Sequence, residues 1–315
     1  MATDKQISRA NVALLEDSIP EIIQHATEAS AVLSLGRRLR DMAREQTTLR
    51  VMDAFPTAYW VTGDTGLKQT TEMSWDKVYL NAEELAVIVP VPENVIDDTD
   101  YDIWGEVRPR IAEAIGARID AAILFGTNKP AGFPAGIVAG ATSASHVVSL
   151  ASLPSGGVDL YDGILGEGGT VSLVEADGYF VTGHVDHISM RAKYRGLRST
   201  EGDLIFKQDV QGTSSYTLDG NPVMFPRNGA FDGAAALDIC GDWSQLVYSI
   251  RKDVTFKLGT EAVIQDNAGN IVLNTFQQDA LALRATFRMG WALPNPPTLL
   301  NANDATRYPF AVLTA

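Results

Sequence analysis

The sequence predicts an α+β fold, and three stretches carry that prediction. Residues 51–81 have the pattern of a long two-stranded hairpin. Residues 101–125 have the pattern of one long helix. Residues 239–294 return to alternating strands. The 315 residues, 45% apolar and 20% charged, suffice for one large domain or two smaller ones.

Residues 1–50 read as an arm, because apolar residues are sparse there and keep no sustained period. Two short helices are expected, around Asn11–Ser30, broken at Pro20, and around Ala31–Glu45. So thin a segment buries little of its own surface and must lie on something else or stay mobile. Its stretch from Gly36 to Arg50 holds Arg37, Arg38, Arg40, Arg44 and Arg50 against Asp41 and Glu45. Two readings stay open. One is a solvated helix face with i,i+4 partners such as Arg37 and Asp41. The other is an arm that docks on an acidic neighbouring subunit or faces nucleic acid.

Residues 51–81 form the expected hairpin. Ala58–Thr62 is aromatic and β-branched, and Gly63-Asp64-Thr65-Gly66 supplies the turn. Trp75–Leu80 alternates, with Trp75, Lys77 and Tyr79 on one side and Asp76, Val78 and Leu80 on the other. An isolated two-stranded hairpin is marginal in water. It either folds back on its own core or is covered by a partner, on which Tyr59, Trp60, Trp75 and Tyr79 would anchor it. Asp64, Lys68 and Lys77 complete the polar side of that contact set.

Residues 82–136 open with a short apolar strand, 84–92, ended by prolines. Asp98, Thr99 or Asp100 then offers N-cap chemistry to a helix from about Tyr101 to Phe125. Ile103, Val107, Ile111, Ile115, Ile119 and Ile123 recur every fourth residue. That step drifts about 40° per repeat on a 3.6-residue helix, so the apolar stripe winds and the two ends are covered on different sides. Pro109 should bend the helix, and Gly126 should end it. Residues 126–160 are rich in Gly, Ala, Ser and Pro and read as loop.

Residues 161–238 read as a separate α/β unit. Gly178–Thr182 has a buried-strand pattern, Val185–Arg195 reads as a helix ending at Gly196, and Ser215–Phe225 reads as a hairpin about Asp219-Gly220-Asn221. Residues 239–315 return to the first domain. Gln245–Leu258 and Asp279–Leu293 alternate, with a tight turn at Asn267–Asn270, and their expected sheet partners are Leu85–Val91 and the hairpin base.

A search for chemistry assigns no catalytic, cofactor or metal residue. His184 and His187 sit three apart with Asp186 between them, but no third ligand stands at a recognised spacing. Gly163, Gly166, Gly168 and Gly169 do not form a phosphate-binding pattern. Asp97, Asp98, Asp100 and Asp102 lack the glycine and distal glutamate of a calcium loop and read as helix capping. Cys240 is the single cysteine, which excludes an intrachain disulfide and suggests synthesis in a reducing cytoplasm. No apolar run reaches about eighteen residues, so no membrane span is expected, and the N-terminus lacks a secretory pattern. The net charge of −14 argues against tight gripping of nucleic acid.

With those residues in view, the chain resembles the tailed-phage major capsid proteins of the Hong Kong 97 type. The likeness lies in AYWVTGDTG (58–66), WDKVYLNAEELAVIVPVPENVIDDTDYDIW (75–104), AEAIGARIDAAILFGT (112–127), GFPAGI (132–137), CGDWSQLVYSIRKDVTFKL (240–258) and FQQDALALRATFRMGWAL (276–293), and it spans roughly residues 51–294 in order. The resemblance implies an N-terminal arm (1–50), an extended loop (51–81), a peripheral domain with a spine helix (82–136 and 239–315) and an axial domain (137–238). It implies self-assembly into pentamers and hexamers of an icosahedral shell around double-stranded DNA, without sequence-specific binding. Assembly would take place in the host bacterial cytoplasm, and the product would reside in the virion. Some members carry a scaffolding domain before the arm; this chain leaves no room for one, which implies a separate scaffolding protein. A portal and a decoration protein are further implied partners. Some members cross-link Lys to Asn with a Glu catalyst. Lys68 and Lys77 lie on the extended loop without an alignable Asn and Glu, so no cross-link is expected. An encapsulin-like shell storing protein cargo is the nearest alternative. A soluble α/β metal-dependent enzyme using His184 and His187 is the distant one.

Overall fold

A computed structural model describes residues 30–61, 68, 70–98, 103–154, 159–198, 216–266 and 268–315. The elements, in chain order, begin with α1 (Ala31–Leu35), β1 (Arg37–Arg38), β2 (Gln46–Ala54), β3 (Ser74–Asn81), β4 (Glu83–Pro92), α2 (Glu93–Asp97) and α3 (Ile103–Phe125). There follow α4 (Ile137–Ser143), β5 (Val147–Ser149), α5 (Leu160–Leu165), α6 (Thr170–Ala176), β6 (Gly183–Asp186), α7 (Met190–Gly196), β7 (Thr217–Leu218) and β8 (Asn221–Met224). The chain closes with β9 (Asp238–Gly241), β10 (Val247–Gly259), β11 (Val263–Gln265), β12 (Ile271–Asn274), β13 (Ala280–Ala292) and β14 (Phe310–Thr314).

Two sheets organise these elements. One has the order β1-β10-β13-β4, and the other β5-β14-β9-β6-β8-β7. The long alternating strands β10 and β13 pair antiparallel, and β13 takes β4 on its other side, as the alternation predicts. The prolines do not end β4. Pro90 and Pro92 stay within it opposite Ala282 and Ala280, which an edge strand tolerates because it needs no donors on its outer side. The stretch 310–314, placed by sequence with the returning strands, instead runs between β5 and β9 in the six-stranded sheet.

The helix α3 carries its winding stripe as expected. Ile111, Ile115, Ile119 and Ile123 enter the main core, while Ile103 joins a smaller cluster with Val91 and Val95. Pro109 lies inside the helix, and Gly126, at φ 69°, stops it. Residues 99–102, where the helix cap was expected, lie outside the described residues. Asp98 serves instead as the C-cap of α2.

The main core joins both sheets. Trp243, Phe310, Val185 and Ile239 from the six-stranded sheet side meet Leu283, Phe287, Met289 and Trp291 from the four-stranded one, with α3 between. Trp243 Nε1 donates to the Gly183 carbonyl at 2.9 Å, satisfying the one polar atom of a buried indole. A second core, with Cys240, Leu313, Val174, Met190 and Tyr194, fills the opposite face of the six-stranded sheet under α5, α6 and α7.

Several expectations are corrected. The helix expected over Ala31–Glu45 ends at Leu35. Beyond Gly36 the chain is extended against β10, with Arg37 N, Leu39 N and Met42 N donating to Leu246 O, Tyr248 O and Ile250 O. These pairings on an edge strand outweigh the weak local helical preference. The loop expected over 126–160 contains α4 and β5, because Ile137 and Ala141 face the main core and Val148 the second core. The strand expected at Gly178–Thr182 lies at Gly183–Asp186, and the helix expected from Val185 begins at Met190. That strand is only four residues long and buries His184 and Asp186, residue types that ordinarily mark exposed positions. The turn Asp219-Gly220 is as read, with both residues at positive φ between Leu218 and Asn221. The expected helix at 11–30 and the turn at 63–66 lie outside the described residues.

Candidate functional site

The hairpin β2–β3 makes a two-stranded sheet of its own, paired from Gln46↔Asn81 to Ala54↔Ser74. It therefore begins at residue 46, earlier than the sequence pattern indicates. Its root is fixed. Leu80 packs with Met42, Ala82, Val247 and Ala292, Ala82 N donates to Glu45 O at 2.7 Å, and Asn81 Nδ2 donates to Gly132 O at 3.1 Å. Gly290 lets the root cross β13: a Cβ there would stand 2.6 Å from the Asn81 carbonyl oxygen.

Away from the root one face of the hairpin opens to solvent. Leu80 is 0% exposed, Tyr79 51%, Trp75 58% and Trp60 100%. Tyr59 and Lys68 are exposed as well, in stretches without regular structure, so the strand expected at Ala58–Thr62 does not form within the described residues. Asp64 lies outside them. The alternation of Trp75, Lys77 and Tyr79 holds, and β2 places Met52, Arg50 and Thr48 opposite them. One face of the hairpin thus presents two aromatic rings and two cations. Arg50 faces Lys77 directly, a like-charge pair that costs stability unless something acidic covers it. The sequence spacing gave no sign of that pair, because register fixes it.

The arginines of the arm form a second exposed row. Arg37, Arg38, Arg40 and Arg44 are all solvent-facing along the extended segment beside β10. The expected Arg37–Asp41 helical pair is replaced by Arg38–Asp41 at 2.9 Å, and Asp41 raises the Arg38 value.

A buried carboxylate ties the start of this arm to the body. Asp120, in the middle of α3, accepts from Ser30 Oγ, from Ala31 N at 3.2 Å, from Val32 N at 3.4 Å and from Asn228 Nδ2 at 2.8 Å. It holds the first amides of α1. Burial pushes its carboxyl up, and the four donors pull the other way. An acid beside Ile119 in an apolar stripe was the only sequence signal for this clamp.

The histidine pair does not come together. His184 is fully buried in β6 against Asp238, while His187 lies beyond the strand, bonds Ser189 Oγ at 2.8 Å and packs near Phe231. The metal-dependent reading, which needed both on one helical face, has no such helix to stand on.

These surfaces sit on a fold shared with known proteins. Residues 10–299 match the phage capsid family. Among curated proteins, the major capsid protein of Staphylococcus phage 80alpha is 25% identical over 279 residues, covering 88% of this chain and 80% of that one. A solved structure from Microbacterium phage Oxtober96 superposes with a TM-score of 0.81 at 35% identity, covering 98% of this chain and 99% of that one. One from Mycobacterium phage Adephagia gives 0.80 at 30% identity, with 98% of each chain covered. The capsid of a native GTA particle, at 15% identity and a TM-score of 0.64, shares the fold. The pinned root, the exposed aromatic residues and these matches agree: the chain belongs to the phage capsid family and serves as a phage major capsid protein.

Proposed function

We propose that the chain tiles an icosahedral shell as pentamers and hexamers, and that the hairpin β2–β3 is the element that links each subunit to a neighbour. The carrying observation is the exposed aromatic set beside a fully buried Leu80: Tyr79 and Trp75 on β3 and, past the end of β2, a fully exposed Trp60. Exposed indoles on a thin ribbon favour burial in a partner, where Trp and Tyr act as anchors. The Arg50–Lys77 pair gives that partner a sign: an acidic surface, which other copies of a chain of net charge −14 supply. The row Arg37, Arg38, Arg40 and Arg44 docks in the same way beneath another copy.

In this reading the four-stranded sheet with α3 is the peripheral domain, and the six-stranded sheet is the axial domain that meets its copies at the capsomer centre. The role is structural, not enzymatic. The acidic chain encloses double-stranded DNA without gripping it, which suits a container that must be filled by force. A separate scaffolding protein, a portal and a decoration protein are the expected partners, with assembly in the host bacterial cytoplasm.

Negative-stain electron microscopy of the purified chain, with and without a co-expressed scaffold candidate, tests the reading. Closed shells or capsomer rings are expected. A uniform small oligomer under every condition would overturn it.

A further inference from the structure

The six-stranded sheet carries a polar cluster that takes no part in the assembly surfaces. Strands β6 and β9 pair antiparallel, with His184 opposite Cys240 and Asp186 opposite Asp238. Alternate residues of a strand share a face, so all four point to the side covered by α6 and α7. All four are 0% exposed. His184 Nδ1 lies 3.3 Å from both carboxylate oxygens of Asp238. The Tyr194 hydroxyl, from α7, donates to Asp186 Oδ2 at 2.5 Å. Asp186 and Asp238 thus stand directly opposite each other on paired strands, with neither carboxyl open to solvent.

Such a buried, opposed pair calls for a proton. Two adjacent carboxylates sealed from water cannot both be ionised, since each charge is desolvated and repels the other. No lysine or arginine among the described residues pairs with either one. The other groups facing the pair are His184 on β6, Cys240 on β9 and Tyr194 on α7, and Asp219 in the β7–β8 turn acts on His184. Tyr194 occupies Asp186 Oδ2, and Asp186 Oδ1 has no protein donor. That oxygen is the one left to carry a proton toward Asp238. With one proton between the pair, a single negative charge is left beside His184 Nδ1, which lies 3.3 Å from Asp238.

We infer that Asp186 and Asp238 form a shared-proton site that couples the strength of the six-stranded sheet to pH. Burial pushes both carboxyls above the ordinary aspartate range, with the neighbouring charge adding to the rise at Asp186. Burial also lowers His184, which keeps its imidazole neutral. A carboxyl whose folded value is raised binds its proton more tightly folded than unfolded. Its contribution is fully present below the unfolded value of about 3.9. It is lost as pH rises through the raised folded value, so stability falls with rising pH across that window.

His184, Asp238 and Cys240 also bring three ligand-type atoms within 4.8 Å of one another. Asp186 is turned to Tyr194 instead, and a sealed zinc site takes four protein ligands. A bound cation in place of the proton is therefore the rival outcome.

The test is denaturant unfolding of the unassembled full-length chain from about pH 5 to about pH 9, compared with Asp186→Asn. The amide donates to Asp238 at every pH. The wild-type midpoint should fall as pH rises, the D186N profile should be flatter, and D186N should be the more stable protein at the alkaline end. Parallel profiles would overturn the inference. Stoichiometric metal in the wild-type chain, or a midpoint lowered by chelator, would overturn it in favour of a cation. Should D186N fail to fold, Asp238→Asn, which removes the same charge pair, is compared in its place. The infrared band of a protonated buried carboxyl must then be present in the wild type at about pH 5 and shift in D238N, where the opposed carboxyl is gone; a wild type without it, or a band that D238N leaves unmoved, would refute the shared proton.

Discussion

Trp60→Ala separates folding from assembly. Trp60 is 100% exposed in the subunit, so truncating it removes no contact on which the fold depends. Unfolding free energy should move by less than about 0.5 kcal/mol, the usual range for surface substitutions. In a shell the ring has about 150–250 Å² to bury, worth at most about 4–6 kcal/mol at about 25 cal/mol per Å². Ordering the loop and desolvating its neighbours take part of that, and hot-spot truncations commonly cost about 2–4 kcal/mol. That range weakens each hairpin contact by about 30-fold to about 1,000-fold. Guanidinium melts of the unassembled chain read the first number. A concentration series followed by sedimentation and electron microscopy reads the second, as a raised threshold for shell formation. Wild-type-like shells at the wild-type threshold would refute the anchoring role. A loss of more than about 2 kcal/mol in the melt would show that the ring packs within its own subunit.

Two further substitutions test neighbouring parts of the argument. Lys77→Glu converts the like-charge pair with Arg50 into an opposite-charge pair. It should stabilise the isolated subunit by about 0.2–1 kcal/mol and still impair assembly, since an acidic partner would then meet a carboxylate; improved assembly would mean that the covering surface is not acidic. Asp120→Ala strands Ser30 Oγ, Asn228 Nδ2 and the amides of Ala31 and Val32. It should cost about 2–4 kcal/mol in denaturant unfolding, and limited proteolysis should cut earlier near residue 30; an unchanged digestion pattern would place the hold on the arm elsewhere.

The parts of the fold legible in the sequence are those whose period survives burial. The four-residue stripe of α3, the alternation of β10 and β13 and the Asp219-Gly220 turn are set by local geometry, and each lies where its pattern places it. The misread parts are set by neighbours far along the chain. Residues 37–42 are extended because β10 offers carbonyl groups to their amides, not because the local residues dislike a helix. Strand β6 hides because it is only four residues long and its buried His184 and Asp186 are residue types that ordinarily mark exposed positions. Phe310–Thr314 looks like a tail until β5 and β9 are seen on either side of it.

The candidate site divides along the same line. Its aromatic residues were legible, because Trp and Tyr on a ribbon too thin to bury them are anomalous in any single chain. Its polar logic was not. Arg50 and Lys77 become neighbours only once the hairpin register is fixed, and Asp186 and Asp238 are 52 residues apart until β6 pairs with β9. Both pairs put like charges side by side, and the surroundings decide how each is relieved. On the exposed hairpin two cations face solvent side by side and call for an acidic partner. In the sealed sheet two carboxylates have no partner to wait for, and a proton between them is the relief the site itself allows. The first conflict makes the subunit depend on other copies, and the second makes its sheet depend on pH; mutating one should leave the other's readout unmoved, because among the described residues the hairpin strands pair only with each other and the buried pair lies in a different sheet.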